Sequence, residues 1–211
     1  ANGLTYVLQG LINILLWMPP VVVVLAIAAL AWGLQRSWKL AVGVALGLAF
    51  IINQGLWKET VETLVLVVGA AAASMAIGVP VGIWAAHSER GYRYLQPILD
   101  LMQTMPTFVY LIPVLILFGL GIAPGLIVTI VFACPAPIRL TYLGITSVPK
   151  PMIEAGEAFG ATKRQLLWKV ELPAALPTIM AGITQCIMLS LSMVVIAALI
   201  GANGLGKPVV R

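Results

Sequence analysis

The sequence predicts an all-α fold, a polytopic bundle of membrane helices. Hydrophobic residues make up 61% of the 211 and charged residues only 9%, where a soluble domain carries about 25% charged. The mean hydropathy is +1.06. The apolar residues also fall in long runs with the charges between them, the pattern of a chain solvated by lipid.

Residues 1–18 carry no charge and include Tyr6 and Trp17, which suits an interfacial N-terminal helix better than a crossing. A crossing needs about 20 apolar residues, and six candidates follow: 19–34, 40–57, 61–86, 101–120, 122–138 and 174–200. The chain thus divides into the helix of 1–18, two peripheral crossings in 19–60 and a core in 61–211. Gly43 with Gly47, and Gly78 with Gly82, form GxxxG pairs, and Gly69 with Ala73 a looser one, for close helix contact. Pro106, Pro113, Pro135 and Pro137 are expected to bend their helices.

Charge placement orients the chain. Arg36 and Lys39 follow the first candidate, Arg90 and Arg93 the third, and Arg139, Lys150, Lys163, Arg164 and Lys169 the fifth. Putting these segments inside the cell satisfies the positive-inside rule and leaves residue 1 outside. The net charge of +5 is therefore a topology signal; it forms no dense basic patch for nucleic acid. No leader is visible at Ala1, and Arg211 stands just past an apolar segment, so further chain is expected at either end.

Several chemistries are excluded. No ionisable residue lies in the middle of a candidate crossing, which argues against a membrane part that drives its own transport. His87 reads as an interfacial histidine. With no cluster at ligand spacing there is no metal site, and no constellation marks a catalytic residue. Cys134 and Cys186 lie in apolar runs and read as buried thiols. Residues 201–208, G-A-N-G-L-G-K-P, approach a phosphate-binding loop, but Pro208 stands where a Mg²⁺-ligating hydroxyl is needed. A flexible glycine turn is the expectation there.

Residues 149–173 are the most informative stretch. Pro151 suits a first helical turn, and Glu154 and Glu157 are expected near that helix's N-terminus. Gly160 can close it in a left-handed cap. Thr162 and Gln165 form a capping box for a second helix, expected to end before Pro173.

The run Glu154-Ala155-Gly156, then Gly160, then Val170, Leu172 and Pro173 resembles the EAA signature of permeases of bacterial ABC importers. Every gap length fits. Gly156 replaces the second Ala, adding backbone freedom, and Val170 replaces Ile. Residues 100–113 and 189–197 look like permeases of glycine betaine/proline betaine importers, and the similarity covers roughly 64–211.

The resemblance implies a MetI-like type I ABC importer permease fold with cytoplasmic coupling helices, in the bacterial inner membrane. It implies a homodimer around a path, a cytoplasmic ATPase dimer, and a periplasmic or surface binding protein that delivers a quaternary ammonium solute. Glu154, Ala155, Gly156, Ala158, Phe159, Gly160, Ala161, Leu172 and Pro173 would contact the ATPase. ATP and Mg would be bound by that partner, with no cofactor and no catalysis on this chain. Thr107, Tyr110, Ser190 and Met193 are the path candidates. Related permeases continue into a further helix after the glycine turn. Without the resemblance, an ATP-independent secondary transporter and a membrane scaffold stay open.

Overall fold

The computed structural model describes residues 2–198, 201 and 203–210; Ala1, Ile200 and Arg211, which bound segments expected above, lie outside them. The described residues are almost entirely helical. In order they form α1 Asn2–Trp17, α2 Pro20–Gln35, α3 Trp38–Asn53, α4 Trp57–Ala86, α5 Glu89–Thr104 and α6 Thr107–Phe118. There follow α7 Ile122–Ala133, α8 Pro135–Thr146, α9 Lys150–Ala158, α10 Lys163–Leu166, a π turn Leu167–Glu171, α11 Leu172–Ala197 and α12 Gly206–Val210.

Among these, three helices are long and apolar enough to cross a membrane: Trp57–Ala86, Ile122–Thr146 and Lys163–Ala197. The second joins α7 to α8, and the third joins α10, the π turn and α11. They form the core, with α4, α8 and α11 in mutual contact and α7 against α4 and α11. Lipid supplies no hydrophobic force between helices, so close backbone approach and dispersion hold them. Glycines permit it. A Cβ at Gly82 would lie 2.6 Å from Thr141 Cβ and 2.7 Å from the Ile138 carbonyl oxygen, and one at Gly78 2.7 Å from Pro137 Cγ.

Several boundaries differ from the sequence expectation. The stretch 101–120 is not one straight helix. The helices within 90–104 and 107–118 meet at 95°, because Pro106 forces Met105 into an extended conformation, with ψ 136°. The 12 residues of α6 span about 18 Å. The fifth helix runs past residue 138 to Thr146: Pro135 stands in the first turn of α8, where a missing N–H costs little. Arg139 therefore lies within a span, paired with the Asp100 carboxylate of α5. Tyr92 stacks on Tyr142 beside it, ring centroids 3.5 Å apart, so α5 is fastened to α8 twice. Pro113 sits inside an unbroken α6.

Residues 2–17 turn away from α2, the described parts of the two helices meeting at 100°. Leu8 and Ile12 are buried against Val65, Leu66, Leu126 and Val194. The peripheral hairpin α2–α3 packs on itself and barely touches α4. Its helix α3 buries no residue, and no atom lies within 4 Å of a Cβ added at Gly43 or Gly47. That GxxxG pair therefore makes no contact within the described chain. Beyond α11, the Leu205 N–H donates to Thr63 Oγ1 at 2.8 Å, and a Cβ at Gly206 would meet Ala198 Cβ at 2.8 Å.

The glycine seams generate a prediction. Gly82→Ala forces a methyl against backbone and should destabilise the fold by about 1–3 kcal/mol, whereas Gly43→Ala should not. Thermal unfolding of the two variants in detergent separates them; equal melting temperatures would contradict the seam.

Candidate functional site

The segment between α8 and α11 stands at the end of the bundle that also carries His87. Pro149 stands at the N-cap of α9, with Pro151 in its first turn. The helix begins at Lys150, so Glu154 lies beyond the first turn and Glu157 near the C-terminus, not at the positive end of the dipole as expected. Both are exposed, and neither pairs with another described ionic group. They are free for a partner.

The bend that follows is fully specified. Gly160 has φ +77°, a conformation glycine adopts without a Cβ penalty. Its N–H donates to the Glu157 carbonyl at 2.9 Å, and the Ala161 N–H to the Gly156 carbonyl at 3.1 Å, the paired bonds of a Schellman cap. The capping box forms as expected: the Gln165 N–H donates to Thr162 Oγ1 at 3.3 Å and the Thr162 N–H to Gln165 Oε1 at 2.9 Å. Gly156 has a packing role. A Cβ there would lie 2.7 Å from Leu166 Cδ1, so the small residue lets α10 fold back onto α9.

The second helix does not end before Pro173. It runs on into α11 through the π turn, where the Leu172 N–H reaches back five residues to the Leu167 carbonyl. Proline lacks an N–H and its ring crowds the carbonyl four residues back; the wider turn absorbs both. Leu172 then packs into a cluster with Ile145, Ala175 and Ile179, anchoring the loop to α8 and α11.

The signature residues thereby converge. Ala155, Gly156, Val170 and Pro173 line one open groove with Met152 and Phe159. Phe159 is 93% exposed, Met152, Glu154, Ala155, Ala158 and Gly160 are exposed, and Ala161 is half-buried. An apolar side chain so bare, beyond the three long helices and flanked by carboxylates, suits a protein partner.

The path candidates fall differently. Tyr110 and Met193 are buried in one cluster with Leu111, Val128 and Ala197. The Tyr110 hydroxyl donates to the Met102 carbonyl, and its ring meets Phe132 edge-on at 5.9 Å. Ser190 is fully buried and approaches the Cys186 thiol. Tyr110 and Met193 thus join α6, α7 and α11. Thr107 is half-buried and begins the exposed α6 stripe Phe108, Ile112 and Ile116. Cys134 and Cys186 are free thiols.

Sequence reasoning missed the contact of His87 with Glu171, 84 residues apart; only Glu171's place in the apolar run before Pro173 hinted at it. No cluster of three metal-ligating side chains occurs among the described residues.

Comparison with known proteins agrees with this geometry. Residues 78–211 match the family described as binding-protein-dependent transport system inner membrane component. The glycine betaine/proline betaine transport system permease protein ProW of Escherichia coli is 47% identical over 98% of this chain and 58% of its own. The glycine betaine transport system permease protein OpuAB of Bacillus subtilis is 48% identical over 99% of this chain and 74% of its own. The chain thus spans little more than half of the first relative's length. Among solved structures, the MetNI methionine ABC transporter in an inward-facing conformation superposes with a TM-score of 0.64 at 25% identity, over 77% of this chain and 80% of that one.

The caps can be tested directly. Thr162→Ala should cost about 1 kcal/mol and speed amide exchange at Gln165 roughly fivefold. Gly156→Ala should leave exchange near Gly160 unchanged, because only the tip of Leu166 must move. Hydrogen exchange read by mass spectrometry checks both.

Proposed function

The chain belongs to the family of binding-protein-dependent transport system inner membrane components, and from that premise we propose that it is the membrane-spanning permease subunit of an ATP-driven importer for a quaternary ammonium solute. One observation carries the reading: α9 is capped against the start of a continuous helix and presents Phe159, Met152 and unpaired carboxylates outward. That is a handle for a separate motor. Two ionic pairs, Arg139–Asp100 and His87–Glu171, occur among the described residues, and neither offers a coupled-ion route through the bundle.

In this reading a cytoplasmic ATPase dimer grips α9 through Glu154, Ala155, Gly156, Ala158, Phe159, Gly160 and Ala161, with Leu172 and Pro173 rooting the grip in α11. ATP and Mg²⁺ are bound by the ATPase, and this chain performs no catalysis. A second copy faces the exposed stripe of α6, and Thr107 lies beside the passage between the copies. Tyr110, Ser190 and Met193 fix that wall from behind. A binding protein delivers the solute from outside. The substrate class rests on the names of the relatives, both of which are permeases for glycine betaine.

Reconstitution with an ATPase and a binding protein tests this. Phe159→Ala should weaken ATPase binding by about 30-fold or more, the cost of losing a contact of roughly 2 kcal/mol. Glu154→Lys and Gly160→Asp should also loosen the complex while membrane insertion stays intact. Full association and transport in all three variants would overturn the coupling role. Glycine betaine uptake that persists without nucleotide would favour a secondary transporter.

A further inference from the structure

One contact at the root of this handle lies outside the signature. Glu171, the last residue of the π turn, is only 6% exposed. Its Oε2 lies 2.9 Å from Nε2 of His87, the residue that ends α4. The other ring nitrogen, Nδ1, faces the Ile83 carbonyl at 2.9 Å and must donate to it. The imidazole is therefore held at both nitrogens and cannot rotate without losing a bond. A buried carboxylate stripped of its partner is strongly unfavourable, so the contact has no cheap substitute.

The place of the contact gives it meaning. The π turn is the weak point of the helix Lys163–Ala197: its ladder is widened, and Pro173 withholds a donor just beyond it. A push on α9 would be lost there as bending. Apart from Asp100–Arg139, which ties α5 to α8, His87–Glu171 is the ion pair found among the described residues. Lys163 and Arg164 line the groove beside His87 from α10 without bonding Glu171.

We propose that His87 is a positioning residue for transport: through Glu171 it clamps the π turn to the end of α4, so that displacement of α9 moves α4, α8 and α11 as one body. This rests on the permease reading above. Its first test uses the complete transporter with its ATPase and binding protein. His87→Ala should lower solute moved per ATP hydrolysed about tenfold, with ATPase association and turnover kept, and His87→Gln, which retains an N–H for the carboxylate, should recover most of it. Should His87→Ala not assemble, Glu171→Ala, which removes the acceptor, carries the same expectation. An unchanged ratio in either variant overturns the clamp. The second test needs no transport. In ¹⁵N-histidine spectra of the chain in nanodiscs, assigned by the signals lost in His87→Gln, Glu171→Gln should shift Nε2 and leave Nδ1 in place. An unmoved Nε2 would overturn the clamp even if the permease reading holds, and a shifted Nε2 with no ATPase partner would sink that reading instead.

Discussion

The structure depends on one helix that must serve two solvents. Lys163–Ala197 runs for 35 residues. Its first turns carry the cap of an exposed loop, and its remainder is packed between α4, α7 and α8. Proline at position 173 ought to break it. The π turn keeps it continuous, because the widened ladder gives the ring room and moves the Leu172 bond back by one residue. With the helix intact, α9 has a firm base. With the helix broken at 173, α9 would be a loop resting on the bundle, and nothing gripping it could move the core.

The surrounding devices serve the same continuity. Gly78 and Gly82 bring α4 onto α8, and Gly144 seats α8 so close to α11 that a Cβ there would lie 3.2 Å from Ala175 Cβ. Leu172 closes the joint from inside. Both ionic pairs lie toward the loop end, where α5 and the π turn meet the bundle. On the proposed reading, a chain built this way passes on displacement that enters through the loop.

Much of this was legible in the sequence, because local rules decide local structure. Gly160, Thr162 with Gln165, and Pro151 each have one conformational use at their position, and each is found there. Hydropathy located the helix Trp57–Ala86, since a run of apolar residues in one direction needs no further information. It could not see the 95° break at Pro106, because hydropathy does not report direction. It made Tyr110, Ser190 and Met193 path candidates because polar or soft residues on an apolar helix look functional, and it could not report that all three are buried within the described chain. Glycine pairs were equally ambiguous: 78 and 82 seat α4 on α8, while 43 and 47 meet nothing within the described chain. The pairing of His87 with Glu171 depends on the tertiary fold and left no periodic trace.

The most direct test of the account is the distance between spin labels placed on Ala158 in the two copies of an assembled transporter. It predicts that trapping the ATPase with ATP brings the labels closer by several ångströms, about one helical turn, as two handles are drawn together. An unchanged distance in a complex that hydrolyses ATP and transports solute would contradict it.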